Sequence, residues 1–402
     1  MPMIQTRTIK KTGEEVSLLG LGAMRLPTRN GRIDKQKATK LVNYAIDHGV
    51  NLIDTAYLYH NGESETFLRN ILQDRRNDVQ ISTKLPVWFV KKEEDLEEYL
   101  DKQMEKLGVE YIDYYFLHSL NYETYKRLKP LHVLEFLDRI KKEGKVKHVG
   151  FSYHDNYDDF TRIIDDYDWD MCLLQYNFID EEVQAGRKGV QYAYNHDVSV
   201  FIMEPLKGGL LAHDVPEKVK VTMEEENIDE TPSRWALKWL ANQKEITCIL
   251  SGMGEIKQLD ENIETMNSTE SDSISDEELQ VYNNVKKVYE ELIQVPCTQC
   301  RYCMPCPAHV DIPACFEAYN AKYIFKKDTK YTFRVSGIMG GKPGYASNCI
   351  NCGACIIKCP QKINIPQELK KVSDELEPFG LKTFMKLVNV VGKPIFKWYL
   401  NR

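Results

Sequence analysis

The sequence predicts an α/β fold: a closed (β/α)8 barrel of the TIM type, followed by a smaller, mainly helical domain. Three observations predict it. Short β-rich runs alternate with amphipathic helical stretches eight times between Gly20 and Glu264. About 245 residues for eight such units is the size of a closed parallel barrel. Nine of the eleven cysteines then crowd into residues 297–359, beyond that alternation.

Taken in order, Arg7–Ile9 and Glu15–Leu18 flank a Lys11-Thr12-Gly13 turn and read as a hairpin placed to plug the barrel bottom. The strands are Gly20–Ala23, Leu52–Asp54, Gln80–Lys84, Ile112–Leu117, Lys147–Ser152, Met171–Tyr176, Ser199–Glu204 and Thr247–Ser251. Between them apolar residues recur at helical spacing, as in Leu100, Met104, Leu107 and Val133, Leu134, Leu137, Ile140. Asp34 reads as a helix N-cap, Gly49 as a C-terminal stop, and Pro232 suits the first turn of a Thr231–Asn242 helix. An open doubly wound sheet is the alternative, weakened because no G-x-G-x-x-G follows the first strand. The polar run Asn267–Asp276 reads as a linker, and a helix over Asp276–Gln294 leads to Pro296 and the cysteines. The expected division is a barrel over 1–266, linker and helix over 267–294, a cysteine domain over 295–378 and a tail over 379–402. That tail has no acid and is basic and amphipathic; it is read as packing back onto the cysteine domain in preference to touching a membrane surface or an acidic partner.

Composition narrows the function class. With 43% hydrophobic and 28% charged residues the chain is globular, and a formal charge of −7 spread along it gives no nucleic-acid-binding surface. No apolar leader core follows Met1, and no run approaches the roughly 20 apolar residues of a membrane span, so a cytoplasmic protein is expected. In that setting a cysteine crowd points to metal or cluster ligation over disulfides.

Polar residues at the C-terminal ends of barrel strands face the active-site mouth. Asp54, Lys84 and His118 each end an apolar strand, and Tyr59 lies five residues beyond Asp54. The group suits proton transfer to a carbonyl. A neighbouring ammonium is expected to lower the phenol pKa, an aspartate to hold that ammonium, and a histidine near neutrality to orient the substrate oxygen. Singly, each residue has a structural reading: helix cap, solvated charge, core histidine. The run Asn51-Leu52-Ile53-Asp54-Thr55-Ala56-Tyr57-Leu58-Tyr59 with Gly62-Glu63-Ser64-Glu65, the opening Gly20-Leu21-Gly22-Ala23-Met24-Arg25, and the Lys84 and His118 strand ends together resemble the aldo/keto reductase signature over residues 5 to 265. The resemblance implies Tyr59 as general acid, Asp54 and Lys84 as its tuning pair, and His118 as the carbonyl-orienting group. It favours Tyr59 over Tyr57 on spacing, and it implies a hydride from a nicotinamide, NADP or NAD, extended across the mouth.

The loops after strands seven and eight, Pro205–Leu211 and Ser251–Gly254, are glycine-rich and suit phosphate binding, although the glycines also read as ordinary turn residues. By resemblance, Ser152 and Gln175 hold the carboxamide, Leu206, Gly208, Gly209, Ser251 and Gly252 border the phosphates, and Gln258, Glu261 and Asn262 face the adenosine. Three positions depart from the family: Tyr153 where Asn is usual, Met203 in place of the nicotinamide-stacking Tyr, and Gly252 with Gln258 where basic residues grip a 2′-phosphate. An NADPH preference is therefore not expected from these loops, though Lys207 offers a partial substitute.

The second cysteine row, Cys349-x2-Cys352-x2-Cys355-x3-Cys359-Pro360, is the bacterial ferredoxin run, whose fourth cysteine serves the other cluster. The first, Cys297-x2-Cys300-x2-Cys303-x2-Cys306-Pro307, is one residue shorter, and four-cysteine zinc is its alternative. The expected grouping is Cys297, Cys300, Cys303 and Cys359 for one 4Fe–4S cluster, and Cys349, Cys352, Cys355 and Cys306 for another. Cys315, in the helix-like run Ile312–Tyr319, reads as core. The 42 residues between the rows resemble helical ferredoxin-like modules, and the whole chain resembles the iron–sulfur-containing aldo/keto reductases.

The leading expectation is NAD(P)H-dependent reduction of a small carbonyl compound, or oxidation of an alcohol, with two clusters exchanging electrons with a redox protein partner. Two others are kept. One is an electron-transfer protein whose barrel binds a flavin or a partner; the other is a redox sensor with structural clusters.

Overall fold

The computed structural model describes residues 4–297, 303–326, 331–337, 342–359 and 361–388. The chain divides into two compact units. One runs up to Asp214 and includes Asp229–Gln280; the other takes Val215–Ile228 and the chain from Val281 onward.

In the first unit eight parallel strands close a barrel: β1 (Leu19–Gly22), β2 (Leu52–Asp54), β3 (Gln80–Leu85), β4 (Ile112–Leu120), β5 (Val146–Tyr153), β6 (Met171–Gln175), β7 (Ser199–Met203) and β8 (Ile246–Ser251). Each pairs with its sequence neighbours and β8 pairs with β1, so the (β/α)8 expectation holds and the open sheet does not. The short apolar runs form strands because their alternate side chains fill the barrel on one side and pack under helices on the other. The hairpin of Thr6–Thr8 with Glu15–Ser17 puts Ile9 and Val16 into one buried cluster with Leu52, Tyr114, Phe201 and Leu250, plugging the floor. Asp34 caps the Lys35–Asp47 helix by accepting from the Lys37 amide, and Thr231 caps Pro232–Ala241 by accepting from the Arg234 amide.

Two local features differ from the sequence reading. His118 does not end its strand: β4 continues to Leu120 through a register shift after Leu117, with Ser119 in the left-handed region at φ 49°. Such an irregularity re-aims the neighbouring side chain. The run 267–276, read as a linker, begins inside the helix Ile256–Ser268, and beyond it Asn242 accepts from the Asp272 amide through its carbonyl and from the Ile274 amide through its side chain.

The second unit is helical; no strand occurs among its described residues. Its core packs Val310, Ile312, Cys315, Phe316, Leu369 and Val372. Cys315 is wholly buried and its thiol is pushed up by that burial, as the core reading expects. Two long-range ties set the cysteine rows. The Asn320 side chain accepts from the Gln294 and Val295 amides and donates to the Val295 carbonyl, just ahead of Cys297. Gly344 accepts from the Asp311 amide at 2.9 Å, an approach so close that a Cβ on Gly344 would stand 2.7 Å from that nitrogen. Of the tail, Met385 joins the core while Phe379, Phe384 and Leu387 are exposed; residues beyond 388 lie outside the described residues.

β5 and β6 meet where only glycine fits: a Cβ at Gly150 would stand 2.2 Å from the Met171 carbonyl oxygen. Gly150→Ala is expected to destabilise the barrel by about 1–3 kcal/mol, read as a lowered denaturant midpoint with tryptophan fluorescence as probe.

Candidate functional site

Period-2 alternation turns Asp54, Lys84 and His118 inward, each two residues beyond a residue facing the same side of its strand. Lys84 Nζ donates to both Asp54 oxygens, at 2.6 and 2.7 Å, and to the Thr55 carbonyl at 2.8 Å. Ser82 Oγ donates to Asp54 Oδ1 at 2.5 Å. Tyr59 opens the short turn Tyr59–Gly62, in which His60 and Asn61 take left-handed φ of 50° and 56°. Its ring lies 5.0 Å from Lys84 Nζ and edge-on to His118, with centroids 6.2 Å apart. The structure thus brings all four residues to one mouth. Tyr57 faces elsewhere, with Lys106 Nζ 4.0 Å over its ring and Tyr99 at 5.3 Å.

Electrostatics sharpen the picture. Burial pushes the Lys84 ammonium down, but Asp54 and Tyr59 outweigh it and hold the group above its ordinary value, so it stays charged. The Tyr59 phenol is raised, first by burial, with Lys84 opposing and Asp54 adding. The lowered phenol expected from the sequence is therefore not the net result: the ammonium acts in the expected direction and desolvation exceeds it. His118 is held well below its usual range by burial, then by Lys84 and His154, so its imidazole is neutral. His118 Nδ1 is a buried nitrogen with no hydrogen-bond partner among the described residues.

Some contributors went unread in the sequence. Trp88, in the loop after β3, brings its ring 4.9 Å from His118 and walls the mouth. Behind Lys84, Gln103 Nε2 donates to the Lys84 carbonyl at 3.1 Å and to Glu65 and Thr83 at 2.8 and 2.9 Å, bracing the strand. Ser82 had a signal, since it lies two residues before Lys84 on the same inward face; Trp88 lies in the loop Pro86–Lys91, whose position after a strand suits a pocket wall but whose composition shows no preference.

Of the candidate cofactor residues, Ser152, Gln175 and Ser251 stand toward the C-terminal ends of their strands, Leu206, Gly208, Gly209 and Gly252 in the loops that follow, and Gln258, Glu261 and Asn262 on the helix Ile256–Ser268. Ser152 Oγ accepts from the Ser119 amide at 2.7 Å. Gln175 donates to Asp180 at 3.3 Å and accepts from Gln184 at 3.2 Å. Asn262 donates to Ser251 Oγ at 3.2 Å, Gln258 accepts from the Gly254 amide at 2.9 Å, and Glu261 accepts from Thr231 and Ser233. The Leu206 carbonyl accepts from the Gly209 amide, in a turn where Gly208 and Gly209 have φ of 69° and 92°. Hydroxyls and amides at strand ends, with glycine loops beside them, are a donor set that fits a nicotinamide dinucleotide.

In the second unit Cys303, Cys306, Cys349, Cys352 and Cys355 line one pocket, walled by Pro305, Ile312, Pro366 and Leu369 and partly open to solvent. The four thiols grouped from the sequence as Cys306, Cys349, Cys352 and Cys355 are neighbours there: burial, then the nearness of Cys349, Cys306 and Cys352, raises the Cys355 thiol. Among the described residues no three His, Cys, Asp or Glu side chains converge on a single-ion site. Several cysteine thiols around one pocket are a donor set that fits an iron–sulfur cluster. Of the other set, Cys297, Cys303 and Cys359 pack against the unit's core, and Cys300 lies outside the described residues.

Comparison with known proteins agrees with both units. The model of the aldo/keto reductase family matches residues 18–280, and that of the 4Fe-4S dicluster domain matches residues 296–363. The uncharacterized oxidoreductase YqkF of Bacillus subtilis is 24% identical over 299 residues, 66% of this chain and 92% of its own. The NADH-specific methylglyoxal reductase of Escherichia coli is 24% identical over 305 residues, 64% of this chain and 92% of its own. Among solved structures, aldo-keto reductase AKR11C1 from Bacillus halodurans has a TM-score of 0.61 at 23% identity, covering 70% of this chain and 96% of that one. An aldo-keto reductase from Klebsiella pneumoniae in complex with NADPH has a TM-score of 0.55 at 18% identity, covering 71% and 96%.

Two predictions follow from the site. Lys84→Met strands a buried carboxylate and is expected to cost about 3–5 kcal/mol, whereas Lys370→Met, which breaks an exposed pair with Asp374, costs under about 1 kcal/mol; chemical denaturation measures both. Because His118 is depressed in the folded chain, the unfolded chain binds its proton first as pH falls. Stability is expected to decline below pH 6.5, the ordinary histidine value, by up to about 1.4 kcal/mol per pH unit from this group. His118→Asn should remove that part of the slope.

Proposed function

The chain belongs to the aldo/keto reductase family of oxidoreductases and carries a 4Fe-4S dicluster domain after it, and from that premise we propose that it reduces a small carbonyl compound with NADH or NADPH, or runs the reverse oxidation. In this reading Tyr59, Lys84, Asp54 and His118 do the acid–base work, and two 4Fe–4S clusters exchange electrons with a redox partner protein. The observation that carries it is the buried Lys84 ammonium held between Asp54, at 2.6 Å, and the Tyr59 ring, at 5.0 Å.

When bound, the nicotinamide supplies hydride and the clusters supply single electrons. The chain's own residues do the rest. Tyr59 keeps its proton because its site is dry, and gives it to the substrate oxygen as negative charge gathers there. The phenolate left behind faces Lys84, whose charge Asp54 secures. In the oxidative direction the same phenolate takes the alcohol proton. His118, neutral, orients the oxygen by a hydrogen bond without adding charge, and Trp88 excludes water. Ser152 and Gln175 would hold the carboxamide, Leu206, Gly208, Gly209, Ser251 and Gly252 the phosphates, and Gln258, Glu261 and Asn262 the adenosine. Nothing basic at Gly252 or Gln258 demands a 2′-phosphate, so NADH serves as well as NADPH.

Cys306, Cys349, Cys352 and Cys355 would ligate one cluster, supported by the shared cavity; Cys297, Cys300, Cys303 and Cys359 would ligate the other. No helix among the described residues is long and apolar enough to cross a membrane, and rows of free thiols suit a reducing, cytoplasmic setting.

Tyr59→Phe is expected to lower carbonyl reduction by about 10²–10⁴-fold and leave the brown cluster absorbance intact; undiminished turnover overturns the proton-donor role. Anaerobic analysis is expected to give about eight irons and eight sulfides per chain. Cys352→Ser should reduce both counts and bleach part of the absorbance.

A further inference from the structure

We propose that Arg25 forms a binding site for the diphosphate of the dinucleotide, a cation delivered from the loop after β1 to the loops after β7 and β8. The inference rests on the nicotinamide reading above and assigns a residue that the signature leaves without a role.

Arg25 closes the short turn Ala23–Arg25 directly after β1. Its course is marked by what two glycines leave open. A Cβ at Gly252, in the loop after β8, would stand 2.9 Å from Arg25 Cδ and 3.1 Å from Cβ and Cγ. A Cβ at Gly208, in the loop after β7, would stand 2.9 Å from Arg25 Nη2 and 3.3 Å from Glu204 Oε2. The stem therefore passes one glycine loop and the guanidinium reaches the other. Gly254 stands on the same path, where a Cβ would lie 3.7 Å from the Arg25 carbonyl oxygen. The glycines of these two loops thus do more than free the backbone: they vacate the volume that Arg25 fills. Gly252 is also where the sequence lacks a basic side chain, and Arg25 brings a cation into that same space from another strand.

The guanidinium is available. Arg25 is exposed and makes no hydrogen bond or ion pair among the described residues. Lys207, the other cation of the loop after β7, is committed: it holds Asp180 at 2.6 and 2.8 Å. Glu204 Oε2 borders the same position at Gly208 but makes no ion pair with the guanidinium among the described residues. An arginine fork matches phosphate oxygens in pairs, and each such charge-assisted contact is stronger than a neutral one. Both NAD and NADP carry a diphosphate, so the site does not distinguish them.

Quenching of reduced nicotinamide fluorescence, with the full chain purified anaerobically and iron content matched between variants, tests the site. Arg25→Met is expected to raise Kd for NADH and NADPH alike by about 10- to 100-fold with an unchanged thermal midpoint. Arg25→Lys should recover part of the loss. Unchanged affinity in Arg25→Met, with the parent chain binding, overturns the site and leaves the nicotinamide reading standing. A loss confined to NADPH overturns it in favour of a 2′-phosphate contact. If the parent chain quenches neither nucleotide, the nicotinamide reading falls and the site with it.

Discussion

The Lys84–Asp54 ion pair is the constraint on which the mouth of the barrel depends. Lys84 and Asp54 are 1% and 4% exposed, and two charges removed from water to that extent cost more than their mutual attraction returns unless every remaining valence is met. Here they are met: Lys84 Nζ has both carboxylate oxygens and the Thr55 carbonyl, and Asp54 has the Ser82 hydroxyl besides. A pair of apolar residues would hold the barrel at least as well. Its value lies in what it fixes, a permanent positive charge at a dry site next to a phenol. The backing from Gln103 fits this, since it braces the Lys84 backbone and leaves the ammonium alone.

The same charge sets the neighbours. It lowers the proton affinity of Tyr59 and of His118, with opposite outcomes. For the phenol, burial acts against it and wins, leaving the hydroxyl protonated. For the imidazole, burial acts with it, leaving a neutral ring. In the proposed reading one ammonium thereby separates a proton donor, Tyr59, from a neutral orienting group, His118.

Much of this was legible in the sequence, for a definable reason. Asp54, Lys84 and His118 show because a strand's alternation fixes which way its last polar residue points, and the closure of the barrel sends all such residues to one end. The cysteine rows show because cluster ligation demands close spacing. Properties that depend on side chains far apart in sequence did not show. The net direction of the Tyr59 shift is a balance between a charge and a burial that no local pattern records. The path of Arg25 exists because Gly208 and Gly252, some 180 and 230 residues away in the chain, lack side chains. The segment Val215–Ile228 lies among barrel elements in sequence yet packs with the chain beyond Val281, as in the Asn284–Glu226 hydrogen bond at 2.8 Å. The bulge at Ser119 leaves no sequence mark either, because serine tolerates neither more nor less of that geometry than many residues would.

The two chemistries proposed for the chain differ in electron count, and the cysteine cavity indicates how they can coexist. Hydride transfer moves an electron pair, whereas a 4Fe–4S cluster moves one electron at a time. A chain with both needs either an internal group that splits pairs or an external carrier that meets the cluster directly. The wall of the cavity favours the carrier. Cys352 is exposed, and so are Ile350, which lines the pocket, and Ile357, at 67% and 88%. Lys358 and Lys362 follow, and no acid occurs from Cys349 to Gln367. Apolar surface left in water beside a redox centre, bordered by one sign of charge, is the form a transient electron-transfer contact takes. In the proposed reading the cluster domain therefore trades single electrons at its own surface, and the barrel would need only its proton donor and a bound nicotinamide.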